Sequence, residues 1–331
     1  MLRSLVGSEM CIRDRPVSTM TTVRLKAAVP PELALQRLDR VARELFPEYS
    51  RNRLQQWIRS GELLVNGSPS GVRDKVPLGA ELVVAANLEE LALVPERIPL
   101  NVIHEDDEII VVNKPAGVVV HPGAGNLSGT LANGLLYHDP LLSNVPRAGI
   151  VHRLDKDTTG LMVVARTLKS QISLVKQLEE RTAARHYTAV VYGVLGSSGT
   201  VTEPIRRHPV YRTRMAVHPS GKFAATYYEP LAHYDHHTLT RLKLATGRTH
   251  QIRVHMQHIG FPLIGDTTYG GTYRQHLDLS DELQRLIREF DRQALHAHSL
   301  SFVHPGHGGT VSFRAPMPED VVALIAGLEV G

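Results

Sequence analysis

The sequence predicts an α+β protein in which a small leading unit precedes a larger one built on a sheet. Three observations carry this. Strand patterns far outnumber helical ones in the second part of the chain; two short helical patterns precede small strands near its beginning; and a stretch with two prolines lies between. A doubly wound fold would instead alternate strand and helix along its length. At 331 residues, 42% of them hydrophobic, the chain is long enough for a large domain and a small one.

In the leading unit, Leu35, Leu38, Val41, Ala42 and Leu45 recur at the three-to-four spacing of a buried helical stripe, which predicts a helix ending near Phe46 and Pro47. Ser50 is placed to cap a second helix in which Leu54, Trp57 and Ile58 face inward and Gly61 closes the end. Arg51, Arg53 and Arg59 remain on its polar side, with no acidic residue between Tyr49 and Gly61 to offset them. LLVNG then predicts a strand entering an Asn66-Gly67 turn, and ELVV at 81–84 a second strand. These limits define a compact unit over residues 32–86. Residues 87–99, containing LEELALVPERIP, read as a linker. The larger unit covers 100–331, with strands expected at 109–112, 161–165, 188–192 and 239–244 and a helix over 168–181. Residues 1–19 are expected to be a non-native or disordered leader, because SLVGSEMCIRDR looks like the translated remnant of a sequencing adapter; Met20 is then the expected start. The same stretch lacks the apolar core of a secretory signal, and Glu9 and Asp14 disfavour a transit peptide.

No apolar run approaches the roughly 20 residues that a membrane-spanning helix needs, so no membrane role is expected. The formal net charge of +4 and the 18 histidines allow local positive fields, which permit a nucleic-acid partner without requiring one. Cys11 is the only cysteine. That excludes an intramolecular disulfide and a cysteine metal cluster and fits a reducing compartment, with the cytoplasm as the expected location.

The segment GIVHRLDKDTTGLMVVAR, residues 149–166, concentrates candidate chemistry. In extended backbone Arg153 and Asp155 project to one side and Leu154 to the other. Thr158, Thr159 and Gly160 add turn chemistry before the LMVVA strand, which places the charged pair on a loop mounted on a buried scaffold. On spacing alone a surface ion pair is the commoner arrangement. Asp157 completes a D-x-D pattern, but a hard cation needs further oxygen ligands and no acidic cluster follows. His250 and His255 are five residues apart and so lie on different faces of a helix; His258 could approach His255, but no third ligand is evident, and no metal site is expected.

Five segments occur in order: VNKPAGVVVHPGAG at 112–125, HRLDKDTTG at 152–160, RHYTAVVYG at 185–193, GRTHQIRVH at 247–255 and HIGFPLIGD at 258–266. Together they resemble the RluA group of pseudouridine synthases, over nearly all of the chain from about Leu33 onward. Ahead of them, RLDRVARELFPEYSRNRLQQWIRSGELLVNG resembles the S4 domain, a small RNA-binding module. The resemblance implies a catalytic domain with a mixed, largely antiparallel sheet that isomerises uridine in RNA with no metal and no cofactor.

It also implies roles. Asp155 would be the catalytic carboxylate, either attacking covalently or removing a sugar proton to give a glycal. A carboxylate held away from water stays ionised only where a cation and hydrogen bonds favour the charge, and the resemblance assigns that partner to Arg253. Without it, Arg253 reads as an exposed arginine on a helix capped by Thr249, with Ile252 and Met256 facing inward. Tyr187 would stack near the displaced uracil, and Arg153 would brace the RNA from which the base is drawn. Lys114, with Pro115, and Leu263 would shape the same pocket. The longer strings IPLNVIHEDDEIIVVNKP, MAVHPSGK and FDRQALHA match the branch acting on large-subunit ribosomal RNA. The expected partner is therefore that RNA or its assembly precursor, at helix 69, with Arg51, Arg53 and Arg59 among the binding residues and no obligate protein partner.

Overall fold

A computed structural model describes residues 20–49, 51–89, 93–123, 125–270 and 279–330. The expected leader 1–19 and the expected cap Ser50 lie outside the described residues. The chain divides into two compact units, residues 1–92 and 93–331. No helix among the described residues is long and apolar enough to cross a membrane.

The first unit runs β1 (Met20–Ala28), α1 (Leu38–Leu45), α2 (Arg51–Ser60), β2 (Leu63–Val65), β3 (Ser68–Pro69) and β4 (Glu81–Glu89). Its sheet has the order β1-β4-β2-β3 and is antiparallel throughout. Leu38, Val41 and Ala42 from α1 meet Leu54, Trp57 and Ile58 from α2 over Leu63, Leu82 and Val84 of the sheet. Leu35 does not join them: it is exposed and left-handed at φ 58°, and α1 begins only at Leu38, after an extended Arg37. Asn66 and Gly67, at φ 49° and 75°, supply the two left-handed residues a tight hairpin turn needs. Strand β1 precedes the residues 32–86 predicted for this unit. It alternates Val23, Leu25 and Ala27 toward the core with exposed Arg24 and Lys26, a period-two pattern that the prediction passed over. Residues 87–89, predicted as linker, continue β4, whose pairing with β1 runs to Glu89 opposite Met20.

The arginine-bearing helix is also less open than predicted. Asp39 of α1 is fully buried and accepts from Arg51 Nη2 at 2.6 Å, Arg37 Nε at 3.0 Å and Gln55 Nε2 at 2.8 Å. Burial alone would raise the Asp39 carboxyl, but the hydrogen bonds from Arg51, Arg37 and Gln55 bring it down to about 2. Arg51 is thus a bolt between α1 and α2. Arg59 reaches Gln55 through Nη2 at 3.3 Å.

The second unit contains β5 (Val102–Glu105), β6 (Ile109–Lys114), α3 (Leu131–His138), β7 (Thr159–Ala165), α4 (Leu168–Glu179), β8 (Ala184–Tyr192), β9 (Gly199–Val201), β10 (Ile205–Arg207), β11 (Met215–Val217), β12 (Thr226–His233), β13 (His237–Leu244), α5 (Gln251–His258), α6 (Asp281–Glu289), β14 (Leu295–Val303), β15 (Thr310–Arg314) and α7 (Glu319–Val330). Nine of these strands form one sheet in the order β5-β6-β7-β14-β8-β13-β12-β9, with β15 on β14, while β10 and β11 form a separate hairpin. Only β14 and β7 pair in parallel; the sheet is mixed and largely antiparallel, as predicted. Helix α4 stops at Glu179, short of 181, because Arg181 turns left-handed at φ 62°. Residues 94–96 of the predicted linker lie against α3, with Asn133 Nδ2 donating to the Val94 carbonyl at 2.8 Å and Glu96 N–H to that of Asn133 at 3.0 Å.

Both faces of the large sheet are covered, and the strands show it residue by residue. Ile110, Val112, Met162, Val164, Tyr187, Ala189 and Val191 pack on one face with Leu131 and Leu135 of α3 and Ile252 and Met256 of α5. Ile109, Val111, Leu161, Val163 and Ala165 face the other way toward Leu174 of α4, and Val190 and Tyr192 toward α6 and α7. A strand buried on both sides reads as a continuous apolar run, which is why IIVV and LMVVA carry no polar alternation.

Candidate active site

The loop before β7 is pinned at several points. Gly149, at φ 73°, lets the chain pass so close to β7 that a Cβ there would lie 1.9 Å from the Ala165 carbonyl oxygen. Leu154 is buried in the core, and Thr158 N–H closes a turn on the Asp155 carbonyl at 3.1 Å. The Lys156 carbonyl accepts from Lys114 Nζ at 2.7 Å and the Asp157 carbonyl from Arg292 Nη1 at 3.2 Å. Arg292 is itself held by Asp320, at 2.6 and 2.7 Å. With its backbone anchored and Leu154 turned inward, the loop shows Arg153 and Asp155 to the opposite side, into one cleft.

Asp155 Oδ2 accepts from Arg253 Nη1 at 3.0 Å. The other edge of the same guanidinium grips Asp266, Nε to Oδ2 at 2.6 Å and Nη2 to Oδ1 at 2.9 Å. Arg253 is only 7% exposed, so the exposed-helix arrangement is excluded. Burial would disfavour its charge, but the Asp266 hydrogen bonds and the Asp266 and Asp155 charges hold it firmly protonated. Its guanidinium lies 5.0 Å from the centre of the Tyr269 ring. Asp266 also accepts from the backbone N–H of Thr268 and Tyr269. One buried cation thus joins an inner carboxylate, saturated with hydrogen bonds, to an outer one in the cleft.

Thr249 does not cap α5. The residue before the helix is His250, left-handed at φ 55°, and the turn is tied by Gln251 Oε1, which accepts from Arg248 N–H and the Thr246 hydroxyl. The left-handed turn carries His250 to the carboxylate: Nε2 is 3.9 Å from Asp155 Oδ1, and Nδ1 is 2.7 Å from the Tyr269 hydroxyl. That hydroxyl accepts from Met215 N–H at 2.7 Å and still has its own proton to offer to His250 Nδ1. With that proton given to Nδ1, the ring turns Nε2–H toward Asp155. Burial lowers the His250 ring, opposed by Asp155.

Tyr187 is buried on β8 and lines the cleft, as do Arg147, Arg153, Arg181, Arg207, Arg214 and Arg248. The cleft volume, about 1540 Å³, exceeds the roughly 300–1,000 Å³ of small-ligand pockets, as an opening for a polymer does. Burial raises the Tyr187 phenol; Arg185 works against that shift and Asp155 with it.

Two predicted pocket residues lie elsewhere. Lys114 is 1% exposed behind the loop, its Nζ donating to the carbonyls of Pro115, Val118 and Lys156 at 2.7, 3.0 and 2.7 Å. Burial pushes its ammonium down to about 7 against the pull of Asp157 and Asp155, and three carbonyl acceptors need all three of its N–H groups. Leu263 is buried in the same core as Tyr187 and bridges Val191. Neither lines the cleft; their part is to hold what does. Asp266, Tyr269 and Arg292 were missed by sequence reasoning, and His250 was weighed only against a metal site and not placed beside Asp155. Asp266 sits in a quoted motif, HIGFPLIGD, but only the fold shows what it holds. Among the described residues, no group of three or more His, Cys, Asp or Glu is gathered so that it could hold a metal ion.

A family model described as RNA pseudouridylate synthase matches residues 108–258, and a model of the S4 domain matches residues 36–82. The Ribosomal large subunit pseudouridine synthase D of Pseudomonas aeruginosa is 52% identical over 305 residues, 92% of this chain and 95% of its own length. The chain belongs to the RluA family of pseudouridine synthases. The counterpart from Haemophilus influenzae is 50% identical over 312 residues, 94% of this chain and 96% of its own. Among solved structures, that of human RNA Pseudouridylate Synthase Domain Containing 1 aligns with a TM-score of 0.53 at 27% identity, covering 70% of this chain and 89% of that one. Human RNA Pseudouridylate Synthase Domain Containing 4, at 24% identity and the same TM-score of 0.53, shares the fold. In this synthase the matched segment 108–258 holds Asp155, Tyr187 and Arg253, while Asp266, the second carboxylate on Arg253, falls just past its end.

Proposed function

We propose that this synthase isomerises uridines to pseudouridine in large-subunit ribosomal RNA, in the stem-loop called helix 69, with Asp155 as its catalytic carboxylate. The observation that carries the reading is the Asp155 carboxylate held by buried Arg253 inside an arginine-lined cleft too large for a small ligand. The choice of RNA is supported by relatives of about half-identical sequence whose names specify the ribosomal large subunit. The proposed location is the cytoplasm, where that RNA is assembled.

The reaction breaks the N1–C1′ bond and forms C5–C1′. N1 gains the proton that C5 loses, so no oxidant, reductant or cofactor enters the balance. A carboxylate at the sugar has two routes: addition to C1′ with expulsion of the base, or removal of the C2′ proton to give a glycal. In both, Arg253 fixes the carboxylate in place before the substrate arrives, which is where a charged site gains most. Tyr187, its phenol raised by burial, keeps its proton and offers a ring face and a hydrogen-bond donor to the detached base. Arg153, exposed on the cleft side of the loop, is placed to brace RNA whose base has been flipped out, a step costing a few kcal/mol. In the first unit, Arg51, Arg53 and Arg59 are the proposed phosphate contacts, Arg51 remaining exposed while it also holds Asp39.

Incubating the purified protein with unmodified large-subunit rRNA and mapping pseudouridine is the test of the substrate. Product is expected in helix 69. Modification confined to other sites would remove the helix 69 assignment, and no product from RNA that binds would remove the ribosomal one.

A further inference from the structure

Three arginines are buried among the described residues: Arg185, Arg253 and Arg292, at 8, 7 and 7% exposure. Arg253 and Arg292 each grip a carboxylate with two hydrogen bonds. Arg185 has no such partner. No described carboxylate lies within salt-bridge distance of it, and its buried Nε has no acceptor. Burying a guanidinium without an anion is costly, and a fold that keeps one in a cleft wall holds a site for an anion that arrives from outside.

The surroundings agree. Arg185 lies on β8 two residues before Tyr187, so the two side chains share a face and line the same cleft. The guanidinium rests against the bare backbone of Gly247, where a Cβ would come within 2.8 Å of Nη1. His152 lines the cleft as well; its Nε2 accepts from Val163 N–H at 3.2 Å, which puts the ring proton on Nδ1, and that buried atom has no acceptor either. Burial, with Arg185 adding to it, lowers the His152 ring to about 3, so it stays neutral and donates.

We infer that Arg185 is a preformed receptor for one phosphodiester of the substrate RNA, next to the nucleotide whose base meets Tyr187. This rests on the pseudouridine synthase reading above. The forked guanidinium matches two phosphate oxygens, and a phosphodiester carries its full charge before any chemistry begins, so the contact belongs to binding.

The test uses full-length enzyme and an RNA stem-loop of helix 69 sequence. Arg185→Gln should bind that RNA about tenfold more weakly or worse, and its plot of log affinity against log salt should flatten by about 0.7, one single-strand phosphate contact. Arg185→Lys should keep the slope. Independently, neutral methylphosphonate linkages placed one at a time around the target uridine should reveal one position that weakens binding by the parent enzyme but not by Arg185→Gln. Unchanged affinity and slope in Arg185→Gln with a reduced kcat would overturn the phosphate site and place Arg185 in the reaction. If Arg185→Gln does not fold, the parent enzyme decides alone, and the absence of any sensitive linkage overturns the inference. Product formed by the parent on the same stem-loop shows that the underlying reading stands; no product there refutes that reading instead.

Discussion

At Arg253 one guanidinium serves two carboxylates with different duties. Asp266, buried and fully hydrogen-bonded, fixes the cation; Asp155, at the cleft, is what the cation presents. Removing charge from the inner partner leaves a buried guanidinium half satisfied, so Asp266→Asn should lower the stability of the larger unit by roughly 3–5 kcal/mol. Denaturant unfolding followed by far-UV circular dichroism measures this, and an unshifted midpoint would show that the inner pair is dispensable. Arg253→Lys should also fail. A point charge cannot span both carboxylates as the planar fork does, and turnover should drop at least about 100-fold, near 3 kcal/mol of transition-state stabilisation. Single-turnover kinetics reads that directly. The pairing of Asp155 with Arg253 spans 98 residues of sequence, and nothing in spacing or periodicity brings such residues together. It was legible only through the ordered motifs, and the Asp266 half was not legible at all.

Elements built on strong periodicity were the legible ones. Strands β6 and β7 announce themselves as unbroken apolar runs because both faces of the sheet are covered, and the stripes of α1 and α2 follow from helical spacing. What escaped was decided by backbone geometry. Leu35 fits the stripe of α1, yet its left-handed φ keeps it outside the helix; His250 takes the cap position that Thr249 was expected to fill; and β1, half exposed and ahead of the recognised motif, carries only a short alternation. Gly160, at φ 118°, lies where β7 meets β14, and a Cβ there would sit 2.3 Å from the Ala297 carbonyl oxygen. Gly160→Ala should therefore force the parallel pair apart and cost more than about 3 kcal/mol; a thermal melt indistinguishable from the parent would contradict it. In the first unit, the folded Asp39 carboxyl sits at about 2, below its ordinary 3.8. The stability it provides is complete above about pH 4 and is lost as pH falls from there toward 2. The single tryptophan, Trp57, is buried in that core, so its fluorescence in urea follows the unit, and Asp39→Asn should remove much of the acid sensitivity in this window. An equal acid response in parent and variant would rule out Asp39 as its source.

The whole chain joins an S4 unit to a synthase unit whose cleft is lined by arginines, while the net charge is only +4. The positive field is local, which composition could not reveal. Deleting residues 1–92 should weaken capture of ribosomal RNA and reduce activity or accuracy on assembled substrates, with the loss shrinking as salt rises; unaltered behaviour would show the S4 unit to be idle in this reaction. The central claim is that Asp155 performs the chemistry while the surrounding arginines hold the RNA. It is tested most directly by measuring pseudouridine formation and RNA affinity together in Asp155→Asn. The account predicts no detectable isomerisation with affinity within about tenfold of the parent, roughly 1.4 kcal/mol; a variant that still converts uridine at the parental rate would contradict it.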